Sequence, residues 1–251
     1  MARSATTILA PRKKSSIVLL HGLRGAPLGL EVIAKDLREA GYEVYLPAIP
    51  PFAGAGDLTE YSPKTYSDYL AQYLRKHHLQ RPILIGHSMG SVIATIFATT
   101  HPEMLSNELI LLSPISTKPN KFFALISPLA ALLPRTMVDY VTTRYLFVPR
   151  DKDLFHSALE LTHRCSQDHA PSSKAIAAAT QFSTKYTISD FNPQQHILLI
   201  AGANDRLIPA KKTRKLAERL QAQLELIPDS GHLHNYEKPH ETAKLILDFL
   251  K

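Results

Sequence analysis

Apolar residues fall along this chain in two patterns, short dense runs and stripes of helical spacing, and the two patterns alternate. The runs Ser16–Leu20, Tyr42–Leu46, Ile83–Ile85, Glu108–Leu112, His196–Gly202 and Leu224–Ile227 are short and rich in branched side chains. That predicts strands, and their nearly continuous apolar character predicts parallel strands buried on both faces. Between them, Leu28–Ala40 places Leu30, Ile33, Ala34 and Leu37 on one helical face, with Gly41 suited to its C-terminal stop. Tyr66–His77, the apolar stretch Ser91–Thr100, Ala210–Gln221 and Pro239–Leu250 predict further helices. Strict alternation of this kind implies an α/β fold, a mostly parallel doubly wound sheet flanked by helices.

The alternation lapses from Ile115 to Thr187. Helical segments there are interrupted by Pro119, Pro128, Pro134, Pro149 and Pro171, and no strand pattern is visible. The densest apolar stretch of the chain, Phe122–Leu133, lies in this region, with nine Lys/Arg against five Asp/Glu across residues 115–187. Long insertions in compact domains commonly serve as lids, which favours a helical cap over ordinary core-covering helices. The expected division is a core of residues 1–114 and 188–251 with a cap of residues 115–187.

Composition narrows the function classes. At 251 residues with 45% apolar content, the chain suffices for one α/β domain. A lone cysteine, Cys165, excludes an internal disulfide and reads as a structural thiol. The N-terminal stretch lacks the apolar centre of a secretory signal and no run reaches membrane-spanning length, so a cytoplasmic protein without stable membrane insertion is expected. The net charge of +7 is scattered, without the basic–aromatic interleaving of nucleic-acid binders. Nucleic acid is therefore not an expected partner, and attraction to acidic phospholipid or an acidic carrier protein is the minor alternative to a solvated surface. A monomer or homodimer is expected. The histidines show no metal-ligand spacing, so neither metal nor cofactor is expected.

The chemistry concentrates at Gly86-His87-Ser88-Met89-Gly90, where an apolar run ends and a helical stretch begins. A very tight turn there would lift the Ser88 hydroxyl clear of the sheet, with Gly86 and Gly90 needed for close packing. It would also leave the Met89 amide at a helix N-terminus, free to donate to a developing oxyanion. A serine hydroxyl needs a base within reach, commonly a histidine oriented by a carboxylate. Ser88, Asp205 and His232 each follow a strand, which places all three at one edge of the sheet. Asp229 and His234 are the rivals. Asp229 shares the loop of His232 and would have to fold back on it, while His234 lies two residues further on. His21 and His87 read as structural hydrogen-bonding histidines.

Taken together, His21-Gly22, Gly86-His87-Ser88-Met89-Gly90, Gly202-Ala203-Asn204-Asp205-Arg206-Leu207-Ile208-Pro209 and Gly231-His232 with Glu237 and Pro239 resemble the α/β-hydrolase superfamily over nearly the whole chain. The resemblance implies the α/β-hydrolase fold, with Ser88 as nucleophile, His232 as base and Asp205 as the acid that orients it. It also implies an oxyanion hole from the amides of Leu23 and Met89. One departure is the short N-terminal stretch before Ser16, which leaves room for at most one extra strand around Thr6–Leu9.

Serine at position 88 argues against the haloalkane dehalogenases and epoxide hydrolases of that superfamily, which use aspartate there. The expected activity is that of a carboxylesterase or lipase, cleaving a small-molecule ester with an apolar acyl or alcohol group. Alternatives are a thioesterase acting on carrier- or coenzyme-linked acyl groups, a lyase or perhydrolase on the same residues, and a non-catalytic ligand-binding relative.

Overall fold

The structure, a computed structural model, describes residues 14–117, 134–148, 152–167 and 171–251. The strand expected around Thr6–Leu9 and the apolar stretch Phe122–Leu133 lie outside the described residues, as does the side chain of Cys165.

Six strands form one parallel sheet: β1 Ile17–Leu20, β2 Val44–Tyr45, β3 Ile83–His87, β4 Glu108–Leu112, β5 His196–Gly202 and β6 Gln223–Ile227. Their spatial order is β2-β1-β3-β4-β5-β6. β1 lies second from one edge, β2 forms that edge, and the chain then crosses back to add β3 to β6 in turn towards the other. The register pairs Leu20 with Gly86, His87 with Leu112 and Gly202 with Ile227, so the C-terminal ends of these strands share one edge.

Helices α1 Glu31–Glu39, α2 Pro63–Lys76, α3 Met89–Thr100, α7 Ala210–Leu220 and α9 Pro239–Phe249 flank the sheet, with the short α8 Glu-containing turn of helix at His234–Glu237 before the last. Between β4 and β5 come α4 Arg135–Leu146, α5 Lys152–Gln167 and α6 Ser173–Lys185. Alternate residues of each strand feed two cores. Val18, Leu20, Leu84, Leu109 and Leu111 pack with Leu70, Phe97 and Leu216 from α2, α3 and α7. Ile17, Leu19, Ile85, Ile110 and Leu112 pack with Ile33, Leu37 and Ile246 from α1 and α9 on the other face. That two-sided burial is why the strands read as unbroken apolar runs rather than alternating ones.

Local differences from the sequence expectation have local causes. The run Tyr42–Leu46 contributes only Val44–Tyr45 to the sheet. The Tyr42 amide is committed to the Leu37 carbonyl at the end of α1, and Pro47 follows as the chain turns away. Helix α2 begins at Pro63, three residues earlier than the apolar spacing suggests, because Ser62 and Thr65 form a reciprocal capping box.

Candidate active site

β3 ends at His87 and α3 begins at Met89, so Ser88 alone makes the turn. It does so at φ +54° and ψ −118°, a strained backbone for a residue with a Cβ. Neighbouring glycines let the turn close. A Cβ on Gly86 would strike the Gly90 carbonyl, and one on Gly90 would strike the carbonyls of Leu20 and His21 at the end of β1. The Ser88 amide donates to the Leu112 carbonyl at 3.0 Å, which pins the turn to β4. Met89, in the first turn of α3, has its amide among the donors a helix start leaves without an internal partner.

Two other strand ends deliver the rest of the site. His232, in the loop after β6, places Nε2 2.9 Å from the Ser88 hydroxyl. Its Nδ1 lies 2.8 Å from Oδ2 of Asp205, in the loop after β5. The second Asp205 oxygen, Oδ1, accepts the amides of Leu207 and Ile208 at 2.8 and 2.9 Å. Asp205 and His232 side chains are 0% and 2% exposed, so water barely screens their interaction. Burial alone would raise the Asp205 pKa, but the charge and hydrogen bond of His232 and the two amides outweigh it and hold the carboxyl below its ordinary value. Asp229 is exposed, and His234 turns its Nδ1 to the Thr242 hydroxyl at 3.0 Å, so neither rival joins the group around Ser88.

The peptide group of His232 is held as firmly as its ring. Its carbonyl accepts from the Ser113 hydroxyl at 2.8 Å and lies 3.1 Å from His87 Nε2. Its amide donates to the Leu146 carbonyl, at the end of α4, at 3.0 Å. His21, His87 and His234 are all buried. Burial lowers the pKa of His21 to about 4 and of His234 to about 3, and drives that of His87 well down. The neutral state of His21 has a structural use. Its Nε2 accepts the Ile49 amide at 2.8 Å, which leaves Nδ1–H to donate to the Gly22 carbonyl at 2.9 Å and shape the loop after β1.

That loop passes directly over the serine, for a Cβ on Gly22 would lie 3.0 Å from Cβ of Ser88. Leu23, the next residue, is partly buried against the core beside the turn. Arg24 follows at φ +58° and reaches Oδ1 of Asp139 on α4 at 3.3 Å. Sequence reasoning gave no role to Ser113, Asp139 or Glu237. Their contacts link segments far apart in sequence, and only Glu237 had a signal, its place after Gly231-His232.

A separate open groove of about 500 Å³ lies between the loop before α2 and α6, lined by Tyr61, Phe182 and Tyr186 among others, and touches none of Ser88, Asp205 or His232. Among the described residues no helix is long and apolar enough to cross a membrane.

A sequence model of the alpha/beta hydrolase family matches residues 17–245. The hydrolase YugF of Bacillus subtilis (strain 168), which is uncharacterized, is 25% identical over 254 residues, covering 95% of this chain and 90% of that protein. The sn-1-specific diacylglycerol lipase ABHD11 of Mus musculus is 23% identical over 254 residues, covering 94% of this chain and 80% of the lipase. Among solved structures, the esterase EaEST from Exiguobacterium antarcticum superposes with a TM-score of 0.79 at 19% identity, covering 94% of this chain and 92% of the other.

Proposed function

The chain belongs to the alpha/beta hydrolase family, and from that premise we propose that it is a serine hydrolase of carboxylic esters whose acyl or alcohol group is apolar. The observation that carries the reading is the unbroken line from Asp205 through His232 to Ser88, at 2.8 and 2.9 Å.

In this reading Ser88 is the nucleophile. As its oxygen attacks the ester carbonyl, the proton passes to Nε2 of His232, and Asp205 steadies the imidazolium that results. The amides of Leu23 and Met89 receive the oxyanion. Collapse of the tetrahedral intermediate expels the alcohol, which takes the proton from His232, and leaves an acyl group on Ser88. A water, deprotonated by His232, then releases the acid by the same route. Protein groups and water are all that these steps require. Losing one oxyanion donor typically costs about 10²–10³ in rate, so the two amides matter as much as the side chains.

Residues 115–187 form the cap in this proposal, and the apolar sequence Phe122–Leu133 supports an apolar substrate. The excess of basic residues in that segment favours one second reading, hydrolysis of an acyl thioester on an acidic carrier.

A fluorophosphonate probe tests the core of the proposal. It is expected to label wild type stoichiometrically and to leave Ser88→Ala untouched; folded wild type that resists labelling overturns the assignment. A p-nitrophenyl ester series from acetate to palmitate then reads the acyl preference. Inert esters with intact labelling would favour the thioester reading.

A further inference from the structure

The proposed chemistry uses the Asp205 carboxylate and, among the described residues, leaves two other buried carboxylates unexplained. One lies on α4 and the other holds the chain just after it, each towards a different half of the site.

The first is Asp139, whose side chain is 2% exposed. Its Oδ1 lies 3.3 Å from Nη2 of Arg24, and its Oδ2 lies 3.3 Å from Nδ1 of His163 on α5. Arg24 directly follows Leu23 and adopts φ +58°, a region a non-glycine residue occupies only when its surroundings hold it. The Asp139 contact is therefore a tether on the loop that carries a proposed oxyanion donor.

The second is Glu237, the last residue of α8, which begins two residues after the proposed base. Its Oε2 accepts the Gly231 amide at 2.7 Å, and its Oε1 accepts the Val148 amide at 3.3 Å. One carboxylate thus joins the residue before His232 to the chain leaving α4. Alongside it, the His232 amide donates to the Leu146 carbonyl. Phe147, between these two anchors, is 1% exposed and packs with Ala158, Leu233, Phe155 and Tyr236, sealing the junction. Burial raises the pKa of Glu237 despite the amide hydrogen bonds that favour its ionised form, so the contact is one the fold holds against the tendency of the carboxyl to take a proton.

From Asp139 to Leu146 the helix rises about 10 Å. Those two residues meet the loops after β1 and β6, whose separation fixes where an oxyanion and a proton can be handled at once. We propose that α4 is a strut setting the distance between the Leu23 oxyanion donor and the base, and that Asp139, one turn into the helix, and Glu237, at the segment leaving it, are the positioning residues. The inference rests on the serine-hydrolase reading of Ser88 and His232. Misplacement of reacting groups by about 1 Å can cost 10²-fold in rate, while substrate affinity need not change.

The test uses the full chain and three measurements on each variant: kcat and KM for p-nitrophenyl butyrate, the second-order rate of fluorophosphonate labelling, and Tm. Asp139→Asn and Glu237→Gln are near-isosteric. Each is expected to lower kcat and the labelling rate by about 10- to 100-fold, with KM within about twofold. Arg24→Gln is expected to match Asp139→Asn, and the double variant to be no worse than either single, because the carboxylate acts through the guanidinium. Glu237→Asp, which keeps the charge but shortens the reach, gives an intermediate loss and serves if Glu237→Gln does not fold. Rates are expressed per labelled site, so a smaller folded fraction cannot imitate the effect. Folded variants that label and turn over at the wild-type rate overturn the strut, as does full additivity of the Arg24 and Asp139 losses. Absence of labelling in wild type would instead sink the underlying hydrolase reading.

Discussion

Ser88 holds a backbone conformation that costs a residue with a Cβ on the order of 1–3 kcal/mol, at φ +54° and ψ −118°. The neighbouring contacts over-determine it: its amide is fixed to β4, and α3 starts at the next residue. The histidines beside it carry a different kind of load. His21, His87 and His234 are kept neutral by burial, with His21 at about 4 and His234 at about 3. In the unfolded chain all three take up protons near pH 6.5. The unfolded state therefore binds more protons below that pH, and stability from these groups is complete above it and lost as pH falls. Asp205, with its lowered pKa, acts in the same sense at still lower pH, since its contribution is present above its ordinary value of 3.8 and lost below. Glu237, raised above 4.5, opposes them weakly by favouring the native state in acid. Calorimetry from pH 7 to pH 4 is expected to show a steadily falling Tm with net proton uptake on unfolding. His21→Gln should remove close to one proton from that uptake near pH 5 and about half a proton at pH 4, where a native pKa of about 4 leaves the folded ring half protonated. A Tm that is flat across the interval would contradict neutral burial.

At the scale of elements, the strands and the order of helices were legible because two-sided burial leaves an apolar run that few other structures produce. The turn at Ser88 was legible for a related reason: Gly86 and Gly90 bracket it, and both glycines meet backbone where a Cβ would go. Gly90→Ala forces the new methyl into the Leu20 and His21 carbonyls, so it should destabilise by more than the about 1–3 kcal/mol typical of overpacking. Thermal unfolding of the purified variant checks this, and a loss under 1 kcal/mol would show that α3 can shift away. Ser88, Asp205 and His232 could be placed at one edge because each follows a strand. The contacts of α4 could not be anticipated. Arg24 and Asp139 are 115 residues apart, and Val148 and Glu237 are 89 apart. No periodicity or motif relates positions joined by a helix packing across two loops, and the sequence around Asp139 reads as an ordinary helix. The short α8 was missed as well, because four residues are too few to show a stripe.

For the whole molecule, the parallel sheet and the inserted helices differ in how completely they are buried. Residues of β1, β3, β4 and β5 lie almost wholly beneath helices on both faces, while α4 exposes Met137, Tyr140, Val141 and Tyr145. Amide hydrogen exchange should therefore show two tiers, with the central strands opening only on global unfolding and α4 to α6 opening locally at lower cost. Equal protection in both would argue against a separable insertion. The spatial strand order also has a consequence for synthesis. Ser88 precedes His232 by 144 residues, and the loop carrying His232 follows every strand of the sheet. At about 5–20 residues per second, a ribosome delivers the serine about 7 to 30 s before the histidine. In the proposed mechanism the hydroxyl has no base throughout that interval, which would leave the emerging chain inert towards esters around it. On that reading competence waits for β6, the edge strand that leads into the loop carrying His232.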